Sequence, residues 1–263
     1  MKKFLIVLIF IPILIWGIWI AIPQSVIQDR IEGSINNEHF SLETDGLKKK
    51  LFYKVAIDSL TLKGYGEKQI SFKDIQAPIN LLALLSLKLN LSFDGNLGQG
   101  KISGNIIRTL NENKIDMKIK DAPMNDIPFL KHAGIEGLGK LSGTIDMVNN
   151  NGHIEFIMHD AVFQPLLFSG ITVPLNFFNN VRGALDVKGD TIHVSSIALE
   201  GKDIYARIKG EMSNNVMDLS MEIMPERSFL DNPIFTNALK QYKVSPGYYV
   251  IYMRKDLYHL INS

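Results

Sequence analysis

The chain has 263 residues, no cysteine, and 28 basic against 27 acidic residues, so its formal net charge is +1. This near-balance argues against a nucleic-acid-binding protein that works through a basic surface. The lack of cysteine excludes disulfides, thiolate metal sites and a cysteine nucleophile. The length allows one large all-β domain or two small domains.

The N-terminal segment is long and apolar. Phe4–Ile22 is a run of nineteen uncharged residues that follows Lys2 and Lys3. Such a run can cross a hydrocarbon core of about 30 Å as a helix. A secretory signal peptide is the alternative, but its apolar region is shorter, and no small-residue cleavage site follows this run. We therefore predict an uncleaved anchor over residues 1–23, with the two lysines in the cytoplasm and the remaining chain across the membrane.

The residue pattern changes after the anchor. Ile27 and Ile31 are at helical spacing, so residues 24–37 are predicted to form an amphipathic segment beside the membrane. From residue 38 onward, apolar and polar residues alternate as in a β-strand, and Asn and Gly turn signals recur. Residues 38–263 are therefore predicted to form a β-rich domain on the far side of the membrane, and the lack of cysteine is compatible with a bacterial periplasm.

Two stretches share an interrupted alternation. Residues 55–64 (VAIDSLTLKG) and residues 192–201 (IHVSSIALEG) each slip by one residue, the first at Asp58-Ser59 and the second at Ser195-Ser196. A one-residue slip is typical of a β-bulge, which bends a strand and redirects its side chains. We predict a bulge at both places.

An ungapped internal repeat occupies the middle of the chain. Residues 98–122 (GQGKISGNIIRTLNENKIDMKIKDA) match residues 137–161 (GLGKLSGTIDMVNNNGHIEFIMHDA) at an offset of 39. Each copy alternates, turns at Asn- or Gly-rich residues, and alternates again, which predicts a β-hairpin with one apolar and one polar face. A single hairpin cannot bury its own apolar face, so neighbouring elements are expected to cover it.

The apolar positions of the two hairpins are predicted to point to one side. The sequence leaves open whether that side is a closed core or an apolar groove, because both need the same inward residues. The candidate residues are Ile102, Ile106, Ile115, Met117, Ile119, Leu141, Ile145, Met147, Ile154, Phe156 and Met158.

These features together predict a mainly β fold. A transmembrane helix precedes a curved antiparallel sheet of repeated hairpins, half-barrel or sandwich-like, with a few short helices. A short helix is predicted at residues 78–85, where a proline begins a leucine-rich run. A third, degenerate hairpin is predicted between residues 208 and 223, a helix at 229–242, and a last strand at 248–252.

Motifs for catalysis, metals and cofactors are not recognisable. Residues 95–101 and 134–140 nearly spell a phosphate-binding loop, but Ile102 and Leu141 stand where the magnesium-binding hydroxyl belongs, and a strand pattern follows instead of a helix. The six histidines lack HExxH spacing, and there is no GxSxG nucleophile elbow. We therefore expect no enzymatic activity, no metal and no cofactor.

The order of these segments resembles the type II secretion system protein N family. The matching stretches are a strand, leucine turn and strand at residues 75–91, the glycine-punctuated strand at 100–106, and a helix and closing strand at 235–242 and 247–252. The resemblance covers most of the chain. It departs in the family's Trp-containing early strand, which is absent here, and in the additional tail 256–263.

The resemblance implies a single-pass inner-membrane protein that assists a type II secretion system in assembly or in the export of folded proteins. Its partners would be the inner membrane and other envelope proteins of that system, and no catalytic residues come with it. The hairpins are also similar to the broader AsmA-type envelope proteins, whose curved sheets hold lipid in an apolar trough. Lipid binding or lipid transfer is therefore the alternative function.

Overall fold

The computed structural model describes residues 16–17, 19–33, 41–51, 53–64, 68–78, 88–109, 111–127, 130, 135–168, 171–213, 216–230, 237 and 239–256. The α-helices whose bounds fall within the described residues are α1 (Gln24–Gly33) and α2 (Arg227–Leu230), and single turns of 3-10 helix cover Met124–Asp126, Leu175–Phe177 and Lys240–Tyr242. The strands are β1 (Ser41–Asp45), β2 (Lys48–Lys50), β3 (Lys54–Gly64), β4 (Lys68–Pro78), β5 (Leu89–Leu97), β6 (Gly100–Arg108), β7 (Asn113–Pro123), β8 (Gly137–Val148), β9 (Asn151–Phe163), β10 (Leu166–Phe168), β11 (Ile171–Val173), β12 (Phe178–Lys188), β13 (Thr191–Gly201), β14 (Ile204–Ser213), β15 (Val216–Pro225), β16 (Lys243–Ser245) and β17 (Tyr248–Asp256).

The described strands build one large open sheet. Fifteen of them pair in the order β1-β3-β4-β5-β6-β7-β8-β9-β12-β13-β14-β15-β17-β16, with β2 added on β3, and every pairing is antiparallel. β10 and β11 form a separate two-stranded ribbon inserted between β9 and β12. The predicted mainly β architecture with repeated antiparallel hairpins is confirmed.

The internal repeat lies at the centre of this sheet. β6 and β7 are the first hairpin, β8 and β9 the second, and the two hairpins pair directly with each other through β7 and β8. Period-two alternation allows this arrangement because adjacent hairpins keep the same side chains on the same face. The third predicted hairpin is present as β14 and β15, where Met212 pairs with Met217 and Ile208 with Met221.

The two predicted bulges have different outcomes. In β13 the register shifts between Ala184 and Leu185 of the neighbouring strand, and Ser195 is the extra residue, as predicted. In β3 the register with β4 stays unbroken across Asp58, and the shift occurs one strand further along, between β4 and β5. β4 is itself irregular at this point, because Asp74 has φ 53°. This irregularity in β4 compensates for the slip in β3, and the two strands keep their register.

The predicted helices fall partly outside the described residues. Residues 16–17 and 19–21 of the predicted anchor are helical, but residues 1–15 and 18 lie outside the described residues. No helix in the described part is both long and apolar enough to span a membrane. The predicted helix at 78–85 lies outside apart from Pro78, which ends β4. For the predicted helix at 229–242, the described segments are helical at both ends.

The buried residues form two clusters on one side of the sheet. A small cluster lies at the N-terminal end, where Trp19 and the α1 residues Ile27 and Ile31 pack against strands β3 to β5. A large cluster lies below β9 to β17, where the 3-10 helices, the β10–β11 ribbon and Leu239 cover the sheet. The first central hairpin, β6 and β7, lies between these two clusters, and the second contributes Leu141, Phe156 and Met158 to the large one.

Candidate functional site

The eleven predicted candidate residues share one face of the central hairpins. Strand register places them in four rows that run across the strands. The rows are Ile106–Ile115–Met147, Met117–Ile145–Ile154, Ile102–Ile119–Phe156 (with Gly143 between the last two), and Leu141–Met158. The structure therefore brings together all the side chains that alternation assigned to the apolar face.

The apolar face continues well beyond the repeat. Three of the four rows extend through β12 to β15 and reach apolar or aromatic residues of β17, so the face crosses the C-terminal half of the sheet. The additional residues include Val181, Leu185, Val194, Ile197, Leu199, Ala206, Ile208, Leu219, Met221, Ile223, Ile251 and Met253. Alternation within β12 and β14 was the available signal for these residues.

Burial varies across this face. The row nearest the 3-10 helices is closed, since Ala122, Met158 and Ala206 are 0–3% exposed. Toward the other end of the same strands, Ile115 and Ile145 and their neighbours on the apolar face are only half-buried. Among the residues that the structure describes, the apolar face is thus packed along one side and partly accessible along the other.

The opposite face of the sheet carries a charged row. Strand register aligns acidic and imidazole side chains across seven strands, from β7 to β15: Asp116, Asp146, His153, Asp186, His193, Glu211 and Asp218. The repeat alone could not reveal this row because it joins residues from strands far apart in the sequence. Acidic neighbours on adjacent strands repel one another, so intervening histidines reduce that repulsion when protonated.

One hydrogen-bonded group forms in the middle of the charged row. Ser195 Oγ donates to Asp186 Oδ2 at 2.5 Å, and His153 contacts Asp186 Oδ1 through Nδ1 at 2.8 Å and Glu155 through Nε2 at 3.2 Å. The hydrogen bond to Asp186, with that to Glu155, raises the pKa of His153. The Ser195 hydroxyl and then His153 lower the pKa of Asp186.

This group has the wrong order for nucleophilic catalysis. A serine nucleophile needs a base that accepts its proton, whereas Ser195 donates to a carboxylate and has no hydrogen bond to His153. In the part of the chain that the structure describes, no three or more His, Asp or Glu side chains could hold a metal ion. The two phosphate-loop look-alikes are strand and turn residues instead: Gly98 and Gln99 form the turn between β5 and β6, and residues 137–140 begin β8.

A shallow concavity of about 830 Å³ also lies on the polar face. Its lining includes Lys118, Glu155, Arg182 and Glu200, so both signs of charge are present. Arg182 is paired with Glu200 at 2.6 Å. Mixed and mutually paired charges do not favour one class of ionic ligand.

The N-terminal helical segment is fastened to the sheet by Lys49 of β2. Its ammonium donates to the backbone carbonyls of Trp19, Ile20 and Ile22 at 2.5, 3.1 and 2.6 Å. These are carbonyls at the C-terminal end of a helix, where a positive charge is stabilising. The same ammonium lies 5.3 Å from the centre of the Trp19 ring, within the range of a cation–π contact.

Helix α1 is fastened by a second polar contact. Glu32 accepts hydrogen bonds from Thr44 N at 2.9 Å, from Thr44 Oγ1 at 2.6 Å and from Gln28 Nε2 at 3.0 Å. The Thr44 hydroxyl, then Gln28, lowers the pKa of Glu32. Thr44 is 7% exposed, and its hydrogen bonds to Glu32 explain how a polar side chain is accommodated in a buried position.

The hydrogen bonds of Lys49 and those of Glu32 attach the N-terminal segment and α1 to the same end of the sheet. Neither set of contacts could be predicted from the sequence, because lysines and glutamates in such segments usually face solvent.

Comparisons of the chain with protein-family models, curated proteins and solved structures found no match.

Proposed function

We propose that this chain is a non-enzymatic component of a type II protein secretion system, anchored in the bacterial inner membrane and carrying its sheet in the periplasm. It assists the assembly of that system or the export of folded proteins by holding partner envelope proteins away from the membrane. Residues 4–22 supply the anchor. The observation that carries this proposal is that the last residues of this segment, Trp19, Ile20 and Ile22, are bound by Lys49 at one end of a single continuous sheet.

A continuous sheet attached at one end is suited to spanning a distance. Fourteen strands follow one another from β1 to β16, which at about 4.8 Å per neighbour gives a sheet roughly 60 Å across, measured along its surface. Lys49 and Glu32 hold the anchor segment and α1 at the β1 end. The β16 end is the far one, and its three residues are all exposed.

The far edge is the expected contact for protein partners. An edge strand presents unpaired backbone groups that can bind another strand. Val244 of β16 is 65% exposed, and a photo-crosslinker there should capture another envelope protein. Leu138, which is 64% exposed on β8, is the matched control and should capture less.

Deletion of the gene tests the proposed function directly. Export of folded proteins should fall while the lipid composition of the outer membrane stays unchanged. Normal export together with a weakened outer-membrane barrier would contradict the secretion role.

Lipid binding or transfer is the second candidate, and the half-buried part of the apolar face favours it. Acyl chains could cover the accessible side chains around Ile115 and Ile145 without disturbing the packed side. A photo-crosslinker at Ile145 separates the two candidates. Capture of phospholipid or glycolipid would favour lipid binding, whereas capture of protein or of nothing would favour the secretion component.

A further inference from the structure

The turn between β2 and β3 combines an exposed apolar side chain with two lysines. Leu51 is 66% exposed, and Lys50 and Lys54, which face each other across the turn, are exposed as well. In the described residues neither lysine forms an ion pair, whereas the neighbouring Lys48 is paired with Asp58 at 2.7 Å. We call Lys50, Leu51, Tyr53 and Lys54 the basic turn.

The basic turn is held next to the end of the apolar N-terminal segment. Trp19 Nε1 donates to the carbonyl of Lys50 at 3.3 Å, and the ring of Trp19 lies edge-on to Tyr53 with centroids 5.7 Å apart. Lys49, one residue before the turn, binds the carbonyls that end the segment. The depth of this segment in a membrane therefore also sets the depth of the basic turn.

The neighbouring surface is apolar as well. Trp16 is 45% and Ile20 58% exposed, and both belong to the segment that the turn touches. A leucine flanked by lysines suits a lipid–water interface, where the apolar side chain enters the acyl region and the ammonium groups remain among the headgroups. Tyr53 and Trp19 are also residue types that favour this interface.

We infer that the basic turn is a second membrane contact, in which Leu51 inserts into the bilayer interface and Lys50 and Lys54 bind the phosphates of anionic phospholipids. The inference rests on the proposed anchor, since the turn reaches the membrane only if residues 4–22 cross it. The occupant is the leaflet from which the anchor emerges, because the turn is continuous with the anchor and its charge complements anionic headgroups.

A second contact changes how the sheet is mounted. A single helix leaves the attached domain free to tilt and rotate above the membrane. A turn inserted beside that helix adds a second point of attachment, and the fastenings at Lys49 and Glu32 transmit it to the sheet. The sheet then leaves the membrane in one fixed direction.

Single-cysteine labelling of the full chain tests this contact. Because the natural chain has no cysteine, Leu51→Cys, Ile20→Cys and Val244→Cys each carry one environment-sensitive fluorophore after reconstitution into phosphatidylcholine–phosphatidylglycerol vesicles. Leu51 and Val244 are matched, at 66% and 65% exposure, but lie at opposite ends of the sheet. Labels at 51 and 20 should shift to shorter emission wavelength and be quenched by brominated acyl chains, and the label at 244 should not.

The outcomes separate the two proposals. If the label at 20 is quenched and the label at 51 behaves like the label at 244, the membrane contact of the turn is wrong and the anchor stands. If the label at 20 is also unquenched, the anchor is wrong and the membrane contact falls with it. A protein bound at the turn would protect the label from water without quenching by brominated lipid, which would also overturn the inference.

Charge substitution tests the lipid class. In the Leu51→Cys background, replacing Lys50 and Lys54 by Gln should weaken insertion of the turn by about fivefold per lysine in vesicles that contain phosphatidylglycerol. Lys243→Gln, an exposed lysine of the far edge strand, is the control and should change nothing. Equal quenching in pure phosphatidylcholine vesicles, unaffected by the lysine substitutions, would overturn the role of anionic lipid.

Discussion

The aromatic ring of Phe156 lies directly over Gly183, its partner on the neighbouring strand. A β-carbon added at Gly183 would come closer to the ring carbons of Phe156 than real carbon atoms approach each other. Phe93 lies over Gly104 in the same way, two hairpins earlier. Glycine thus lets a large ring lie flat against the apolar face, where a side chain on both strands would not fit.

Gly183→Ala should therefore destabilise the chain. The added methyl group pushes the ring of Phe156 out of its position, and such overpacking typically costs about 1–3 kcal/mol. Thermal unfolding followed by circular dichroism measures the change. Gly189→Asn is the control: Gly189 lies in a turn with φ 58° and no atom within 4 Å of an added β-carbon, and Asn tolerates that conformation. Equal losses for both variants would contradict this explanation.

Charge placed on the apolar face should be costly in proportion to burial. Met158 is 3% exposed, so Met158→Asp should reduce the free energy of unfolding by more than about 3 kcal/mol. Ile115 is half-buried, and Ile115→Asp should cost less, roughly 1–3 kcal/mol.

The matched control for these substitutions is Lys118→Asp, an exposed position of the opposite face that lies on the same strand as Ile115. This variant should be nearly silent in chemical denaturation. Similar losses at Lys118 and Ile115 would show that the assigned strand register is wrong.

The conformation of Asp160 predicts an unusual tolerance for glycine. Asp74, Asp121 and Asp160 have φ of 53–54° at the irregular points of β4, β7 and β9, and the last two are equivalent positions of the repeat. Asp160 is exposed, so burial cannot decide the effect of its replacement. Asp160→Gly should leave stability unchanged or raise it slightly, whereas Asp160→Val should lower it by about 1–3 kcal/mol. Urea unfolding of both variants provides the measurement, and a stable Val variant would refute the strain.

The group around His153 should make stability fall as pH rises. The pKa of His153 is raised in the folded chain, so this side chain binds a proton more tightly in the folded state than in the unfolded state. The stabilisation is complete below the ordinary value of 6.5 and is lost as pH rises through the higher folded pKa. Asp186 acts oppositely, since its pKa is lowered and its contribution is lost only as pH falls below 3.8.

His153→Gln should therefore flatten the decline in thermal stability above pH 6.5, and His159→Gln, exposed on the same strand, should not. The effect will be modest because the His153 side chain is 44% exposed and water screens the pair. Addition of 1 M salt should reduce it further. A decline that persists unchanged in His153→Gln would assign the pH dependence to another group.

The sequence alone determined which side chains share a face within each hairpin. Alternation is a local property: residues such as Ile115 and Met117 are two apart, so strand geometry places them on one side whatever their neighbours are. The ungapped repeat likewise set the pairing within each hairpin, since short Asn- and Gly-rich turns leave one register for the flanking strands. The extra residue at Ser195 was visible for the same reason.

Only the tertiary structure decided which strands lie beside one another at a distance and what covers the apolar face. The pairing of β9 with β12 across an inserted ribbon joins His153 to Asp186, 33 residues away, and no local pattern encodes such a contact. The same holds for Lys49 at the end of the N-terminal segment and Thr44 against α1. These contacts depend on three-dimensional packing, because alternation assigns a side chain to a face but not to a neighbour.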